Sequence, residues 1–372
     1  MTILIAADSF KEALSAKEAC QAIARGGHLA IPEASIELFP MADGGEGTAE
    51  VLTQNTGGNW LETTVMDPLF RQIKAGYGLT PDGKIAFIDM AQASGLSHLS
   101  EDEKNPLKTT TFGTGELLLH AVRRGAKRIV LGIGGSATND AGIGMAQALG
   151  YRFFDKNNSL LPPIGESLIH IHRIDDAGLL LAPKEIEVEV LCDVDNPLYG
   201  PEGAAHIYAA QKGADANAIA HLDAGLQHFA QLFPQHHFGQ MPGAGASGGL
   251  GAGTIAFLSA KLKPGIETIM EITDFEQHIK PAALILTGEG KLDEQSLRGK
   301  LIGGICRKAE NYQVPVIALC GSLQATAQSI KEIGLCAAFS ISQGPQTLQQ
   351  AIAQTSDQLT QTAFQVLRTF KK

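Results

Sequence analysis

Long apolar runs, paired cysteines and an excess of positive charge are all missing from this sequence. Charged residues make up 18% of the 372 residues, and the net charge is −10. A chain with this balance is poorly suited to bind nucleic acid or an anionic membrane surface. No apolar run approaches the length of a transmembrane helix. We therefore expect neither nucleic acid nor membrane as a partner.

The five cysteines are an odd number, widely scattered and without a CxxC pair. This pattern is typical of reduced, mostly buried thiols. The first apolar run lacks a preceding basic region and meets Asp8 after six residues, so it predicts a strand and not a signal peptide. These features predict a cytoplasmic location.

Three familiar types of site are also without support. No HxxxH or Cys/His spacing suggests a structural transition-metal site. The one GxSxG match, at residues 245–249, follows no predicted buried strand, as the nucleophile of a serine hydrolase of this type would. Gly78–Lys84 nearly matches a P-loop, but Ile85 takes the place of the hydroxyl residue and the context predicts a hairpin. The function must therefore be sought in other motifs.

The length and the 44% hydrophobic content predict two domains with sizeable cores. Short β-branched runs typical of buried strands occur near both ends of the chain, whereas residues 60–90 alternate as antiparallel strands do. The pattern predicts an α/β fold in which residues 1–60 and 265–372 form a Rossmann-like parallel-sheet domain. Residues 61–264 would form an inserted mixed α/β domain, with the active site in the cleft between the two.

The most informative stretch is LGIGGSATNDAGIG, residues 131–144. A predicted strand, Arg128–Ile133, leads into Gly134 and Gly135, which permit turns and close approach that a Cβ would forbid. A predicted helix, 141–149, follows polar residues that could cap it, namely Ser136, Thr138, Asn139 and Asp140. Anions bind at such helix starts, so we interpret the stretch as a phosphate-binding loop. An ordinary glycine turn between strand and helix is the alternative.

Carboxylates recur at the predicted strand ends, with lysines nearby. The acids are Asp8, Asp43, Asp193, Glu289 and Asp293, and the lysines are Lys11, Lys212, Lys291 and Lys300. Carboxylates suit magnesium, and lysines offset charge during phosphoryl transfer. As a set they favour a magnesium-nucleotide site, although each acid alone also fits a solvated loop or a helix cap.

A second glycine-rich run covers residues 242–254. Gly243, Gly245 and Gly248 match the dinucleotide fingerprint, but no βαβ unit surrounds them. The run fits a hinge or the wall of a nucleotide pocket, or close packing of helices. A nicotinamide-dependent dehydrogenase of a small hydroxy acid and a non-catalytic two-domain binder remain alternatives to a phosphotransferase.

The motif series as a whole resembles that of the type I bacterial glycerate kinases. It comprises DSFKEALSA, MADGGEGT, GIGGSATNDAG, CDVDNPLYG with GAA and QKGA downstream, PGAGASGGLG and TGEGKLDEQSLRGK, in matching order from residue 8 to beyond 300. The chain departs from the family at Glu12-Ala13, where a glycine and a serine are common. The resemblance implies a two-domain α/β kinase that phosphorylates D-glycerate to 2-phosphoglycerate with ATP and Mg²⁺, in glyoxylate or sugar-acid breakdown. It leaves open a homo-oligomer.

The resemblance also suggests a role for each matching residue. Asp193 would accept the proton of the substrate hydroxyl, with Asp8 and Lys11 as further catalytic residues. Substrate binding would involve Ser9, Asp43, Glu46 and Asn196. Phosphate or nucleotide contacts would come from Gly134, Gly135, Ser136, Asn139, Asp140, Gly243, Gly245 and Glu289. Asp43 and Asp293 would be metal ligands.

Overall fold

Residues 1–182, 185–293 and 301–370 are described by the computed structural model. The chain folds into two compact units. Unit 1 combines Met1–Asp43 with Ile266–Lys372, and unit 2 is Gly44–Gly265. Each unit contains a sheet and helices, which confirms the predicted α/β class. None of the described helices is both long and apolar enough to cross a membrane.

Strands supply the framework of both units. In chain order the described strands are β1 (Thr2–Ala7), β2 (Ser35–Leu38), β3 (Asn59–Met66), β4 (Gln72–Leu79), β5 (Ile85–Asp89), β6 (Arg128–Gly132), β7 (Arg152–Phe154), β8 (Arg173–Asp175), β9 (Glu187–Leu191), β10 (Lys261–Lys263), β11 (Leu284–Leu292), β12 (Val316–Leu323) and β13 (Ala337–Ser340).

Helices cover or connect these strands. The described α-helices are α1 (Ala16–Ala30), α2 (Thr48–Asn55), α3 (Ala91–Ser94), α4 (Phe112–Arg123), α5 (Ile143–Ala148), α6 (Ala204–Tyr208), α7 (Ala216–Leu232), α8 (Ala246–Leu258), α9 (Gly265–Ile272), α10 (Phe275–Ile279), α11 (Leu301–Glu310), α12 (Ala327–Glu332) and α13 (Leu348–Arg368). Short 3₁₀ turns lie at Leu96–His98, Glu101–Glu103, Gly165–His170, Ala210–Lys212 and Pro234–His236.

Unit 1 contains a parallel five-stranded sheet of order β13-β12-β11-β1-β2. Strand β1 and the first half of β11 are mostly apolar and buried, as expected for a sheet covered on both faces. The parallel register places Ala7 beside Gly288. Asp8, which follows β1, and Glu289, which lies within β11, are therefore at the same edge of the sheet, the edge at which open α/β sheets bind ligands.

Helix α1 begins as its sequence predicts. Ser15 and Glu18 form a capping box, in which each side chain accepts a backbone N–H of the other residue. Further along, a Cβ at Gly26 would come within 2.2 Å of the Thr360 carbonyl oxygen. Close packing of α1 on α13 therefore requires glycine at position 26.

A tight turn joins β1 to α1, and Glu12 occupies its left-handed position with φ 64°. Left-handed geometry costs a residue with a Cβ about 1–2 kcal/mol, whereas glycine adds about 0.5–1 kcal/mol of unfolded-state entropy. Glu12→Gly should therefore raise the free energy of unfolding by about 0.5–1 kcal/mol in urea titrations. The exposed Glu33, which lies outside the left-handed region, is the control, because Glu33→Gly should lower that free energy. An equal loss in both variants would contradict the argument.

Unit 2 contains a mixed six-stranded sheet of order β10-β9-β6-β5-β4-β3. Strands β3, β4 and β5 pair antiparallel, whereas β5, β6, β9 and β10 pair parallel. This arrangement confirms the predicted change of strand pattern in the middle of the chain. Helix α2, which the sequence pattern placed with the outer strands, contacts β4 and β5 and belongs to unit 2.

Candidate active site

The glycine turn after β6 lies against a second glycine turn, residues 44–47. A Cβ at Gly134 would lie 3.0 Å from the Cα of Gly45, so the two backbones leave no room for a side chain there. Gly135 adopts φ 72°, and a Cβ added at this position would lie 3.2 Å from Oε2 of the Glu46 carboxylate. The structure thus brings together two motifs that stand about ninety residues apart in the sequence.

Asp89, at the end of β5, organises the 44–47 turn, and its role was not predicted from the sequence. Its carboxylate accepts the N–H of Gly47 at 2.9 Å and that of Ala49 at 3.2 Å. Burial raises the pKa of Asp89 to about 7, and the charges of Glu46 and Glu50 act in the same direction. Asp89 therefore positions Glu46 by fixing the backbone around it.

The helix start after the loop differs from the predicted phosphate site. Helix α5 begins at Ile143, and the fully buried Asp140 accepts N–H groups from Gly142 at 3.1 Å and Gly144 at 3.2 Å. Its carboxylate also accepts both the N–H and the hydroxyl of Thr111, each at 2.8 Å. The sequence pattern predicted that backbone N–H groups at this helix start would be free to bind an anion. That prediction was wrong for Gly142 and Gly144, because the Asp140 carboxylate already accepts their N–H groups.

The residues just before Asp140 leave polar atoms unsatisfied. Asn139 is fully buried, and neither its Oδ1 nor its Nδ2 has a hydrogen-bond partner among the described residues. The Thr138 hydroxyl is buried and likewise lacks a partner there. A buried polar group without a partner costs about 1–3 kcal/mol, so such groups are rare unless a ligand or water satisfies them.

Lys212 reaches this loop from far along the chain. The lysine is 2% exposed, and its Nζ donates to Ser136 Oγ at 2.7 Å and to the Thr138 carbonyl oxygen at 2.6 Å. Burial lowers the pKa of Lys212 to about 7, and the charge of Asp140 opposes this shift. The sequence pattern named Lys212 as one of several lysines but gave no reason to place it beneath the loop.

The second glycine-rich run packs against the same loop. Ser247, Gly248 and Gly249 are all left-handed, and a Cβ at Gly248 would lie 2.0 Å from the Thr138 carbonyl oxygen. Ala141 donates its N–H to the Gly248 carbonyl, and Ser247 Oγ donates to the Ile133 carbonyl. The run therefore supports the loop by close backbone packing.

Gly243 and Gly245 border the loop that follows β9. Gly245 donates its N–H to the Asn196 carbonyl at 3.0 Å, and a Cβ at Gly243 would lie 3.0 Å from Cys192 Sγ. The Asn196 side chain donates to the Glu202 carbonyl at 2.9 Å and accepts from the Tyr208 hydroxyl at 2.5 Å. Asn196 thus holds the shape of this loop.

Asp193 is exposed at the end of β9, as the sequence predicted. Its Oδ1 accepts the N–H of Gly265 at 2.8 Å, which fixes the orientation of the carboxylate. A Cβ at Gly44 would lie 3.6 Å from Oδ2, so the 44–47 turn borders the same carboxylate. Asp193 and the glycine turns therefore share one side of unit 2.

In unit 1, three of the predicted acids influence one another. Burial raises the pKa of Asp8 to about 7, and the charges of Asp43 and Glu289 add to the rise. The N–H of Ser9, 2.6 Å from Asp8 Oδ1, opposes it. Asp8, Asp43 and Glu289 thus form a cluster of carboxylates at the edge of the parallel sheet.

The other predicted site residues of unit 1 differ from one another in their surroundings. Lys11 is exposed, and Ser9 is partly buried. Asp293 forms a salt bridge with Lys291, with 2.9 Å between Oδ2 and Nζ. Lys300 lies outside the described residues.

Almost the whole chain is similar to known proteins of one family. The model of the glycerate kinase family matches residues 3–371. A glycerate kinase of Bacillus cereus is 44% identical, in an alignment that covers 100% of this chain and 98% of the relative. This chain belongs to the glycerate kinase family. As a family member it is a phosphotransferase that phosphorylates glycerate.

Further relatives extend the agreement to the fold. A glycerate 2-kinase of Escherichia coli is 43% identical over 96% of this chain and 95% of its own. A crystal structure assigned as glycerate kinase 2 of Salmonella typhimurium LT2 has a TM-score of 0.88 and 41% identity, and it covers 100% of this chain and 98% of its own. The glycerate kinase resemblance and the α/β fold predicted from the sequence are both confirmed.

The carboxylate cluster of unit 1 predicts a pH dependence of stability. Folded Asp8 keeps its proton up to a pH of about 7 because its pKa is raised to about 7, whereas an unfolded aspartate loses it near its ordinary pKa of about 3.9. The folded state binds more protons between these values, so this group lowers the free energy of unfolding as the pH rises through them. Asp8→Asn should remove that loss.

We therefore expect the thermal midpoint of Asp8→Asn, relative to the parent, to be higher at about pH 8 than at about pH 5. Glu33→Gln removes an exposed carboxylate from the same unit and should shift the midpoint equally at both pH values. A difference between Asp8→Asn and the parent that stays constant with pH would contradict the assignment.

Proposed function

We propose that the protein transfers the terminal phosphoryl group of ATP to the 2-hydroxyl of D-glycerate, giving 2-phosphoglycerate and ADP, with Mg²⁺. The observation that carries this proposal is the loop of residues 134–140, where a left-handed glycine turn precedes the buried carboxamide of Asn139, which no described residue satisfies. Backbone N–H groups and buried amides of this kind are suited to phosphoryl oxygens.

For the nucleotide, we assign the direct contacts to Gly134, Gly135, Ser136 and Asn139. Close packing at Gly134 and the left-handed angle of Gly135 hold the turn in one shape without a side chain in the way. The hydrogen bonds of Asp140 support a role in holding that shape. Gly243, Gly245 and Glu289 complete the proposed nucleotide site.

For the chemical step, we assign the base to Asp193. The glycerate hydroxyl oxygen forms a bond to the γ-phosphorus, the bond from this phosphorus to the ADP oxygen breaks, and the hydroxyl proton passes to the carboxylate. A carboxylate that is aligned with the attacking oxygen can do this at an ordinary pKa. The N–H of Gly265, which holds Oδ1, supports this alignment. Asp8 and Lys11 are further catalytic residues in the proposal.

Glycerate binding is assigned to Ser9, Asp43, Glu46 and Asn196. The hydrogen bonds that Asp89 accepts from the N–H groups of Gly47 and Ala49 fix the backbone that directly follows Glu46. The two side-chain hydrogen bonds of Asn196 make it a residue that shapes the site through its loop. Each of these roles can be tested by substitution of one side chain.

The carboxylates also suit magnesium. Among the described residues, no three His, Cys, Asp or Glu side chains enclose a metal ion by themselves. Mg²⁺ is commonly held by one or two carboxylates together with substrate phosphates, and the mutual repulsion at Asp8, Asp43 and Glu289 is relieved by a cation. Asp43 is the proposed ligand, and Asp293 would exchange its salt bridge with Lys291 for the metal. When bound, the ion would neutralise charge on the phosphates.

Phosphorus NMR tests the reaction and its position. The protein is incubated with ATP, MgCl₂ and D-glycerate, and the product is recorded with proton coupling. A phosphate on the 2-oxygen couples to one carbon-bound proton and gives a doublet, whereas a phosphate on the 3-oxygen couples to two and gives a triplet. A doublet that depends on ATP and disappears with a chelator supports the proposal. A triplet would contradict the 2-position, and turnover without ATP or magnesium would contradict the cofactors.

A further inference from the structure

Lys212 carries a buried ammonium group, and its two hydrogen-bond partners in the described part of the chain are neutral. Its Nζ donates to Ser136 Oγ and to the Thr138 carbonyl oxygen, across 76 and 74 residues of sequence. Lys212 is the last residue of the 3₁₀ turn Ala210–Lys212, and the next residue, Gly213, adopts a left-handed backbone conformation. The backbone therefore directs this side chain inward, beneath the loop of residues 134–140.

A lysine in such surroundings is unusual because buried charges are almost always paired. Among the described residues, Asp140 is the one charged group that acts on Lys212. The carboxylate of Asp140, however, already accepts four hydrogen bonds from Thr111, Gly142 and Gly144. The positive charge beneath the loop is thus only partly compensated by the protein, and a bound anion would complete the compensation.

The hydrogen bond to Ser136 also determines what that hydroxyl can do. Because Ser136 Oγ accepts a hydrogen from Lys212, the hydroxyl's own hydrogen must point away from the lysine. Ser136 directly follows the left-handed Gly135 and is 6% exposed. A hydroxyl that accepts from a cation is polarised, and it becomes a better donor on its other side.

We propose that Lys212 is a positioning residue that acts through Ser136, orienting and polarising the Ser136 hydroxyl so that it donates to a phosphoryl oxygen of the nucleotide. This inference rests on the proposed phosphate-binding role of the loop. It assigns a specific role to one of the several lysines near the strand-end acids, and it makes Lys212 and Ser136 one functional pair.

A double-mutant cycle tests the pair. ADP binding is measured by calorimetry for the parent, Lys212→Met, Ser136→Ala and the double variant, with Lys74→Met as a control that removes an exposed lysine from the same unit. Each single variant should bind ADP roughly ten- to a hundredfold more weakly, the value of one charge-assisted hydrogen bond. The double variant should be little weaker than either single one, and Lys74→Met should match the parent. Additive losses, or no loss in either single variant, would overturn the proposal.

The pH dependence of binding gives a second readout that a purely structural lysine would not change. Above about pH 7.5 the terminal phosphate of ADP is almost fully ionised, since its second pKa is about 6. Free Lys212, with its pKa lowered to about 7, is mostly neutral above this pH and must take up a proton to act as an ammonium group when ADP is bound. Parent affinity should therefore fall between about pH 7.5 and 9, and Ser136→Ala should show a weaker dependence. A level parent profile would overturn the proposal even if Lys212→Met does not fold.

The outcome for the loop itself separates this inference from the function on which it rests. If Gly135→Val loses ADP binding while the affinity losses of Lys212→Met and Ser136→Ala add up in the double variant, the loop binds phosphate and only the pairing of Lys212 with Ser136 is wrong. If Gly135→Val binds ADP as the parent does, the phosphate role of the loop is wrong, and the inference about Lys212 is overturned with it.

Discussion

Asp193→Asn is expected to lower turnover by roughly a hundredfold or more while ADP affinity and thermal stability stay at the parent level. Asparagine has nearly the same shape as aspartate, and its amide oxygen can still accept the N–H of Gly265. The substitution therefore preserves the fold around the end of β9. It removes the group that we propose takes the proton from the attacking hydroxyl.

The measurement compares the turnover number and the nucleotide affinity of the parent, Asp193→Asn and Asp195→Asn. Asp195 is exposed in the same loop and provides a matched loss of one carboxylate. Its variant should retain turnover close to that of the parent. Turnover of Asp193→Asn within about threefold of the parent would show that another group accepts the proton.

Gly135→Val is expected to weaken ATP binding by roughly tenfold or more. Valine is strained at φ 72°, and its Cβ would lie 3.2 Å from both the Ala91 Cβ and the Glu46 carboxylate. The turn must move to relieve these contacts. Because Glu46 lies in the neighbouring turn, a shift there would also disturb the proposed glycerate site.

Gly83→Val is the matched control for this substitution. Gly83 has φ 71°, but no atom of the described residues lies within 4 Å of the position of an added Cβ, so Gly83 shares the backbone strain and lacks the crowded surroundings. Both variants should lose stability, by about 1–2 kcal/mol from the left-handed angle alone. Only Gly135→Val should lose ATP affinity in calorimetry. Equal ATP affinity in the two variants would show that the loop has a structural role only.

Much of the fold could be predicted from local patterns. Apolar β-branched runs predicted β1, β9 and β11 because strands buried on both faces need such residues. The capping box at Ser15 and Glu18 predicted the start of α1 because its two hydrogen bonds join residues only three apart. Asp8 follows β1 as predicted, whereas Glu289, which was expected just past a strand, lies within the longer β11; the parallel register of β1 and β11 places both at one edge.

The sequence by itself determined the family, the α/β class and the position of the acidic and glycine-rich motifs along the chain, since each depends on residues that are close in sequence. The tertiary structure decided which motifs meet: the 44–47 turn with Gly134, the Asp140 carboxylate with the amides of α5, and Lys212 with Ser136. These contacts depend on how strands and turns pack, and no local spacing encodes them. Packing therefore made Asp140 a structural carboxylate and brought a cation beneath the loop.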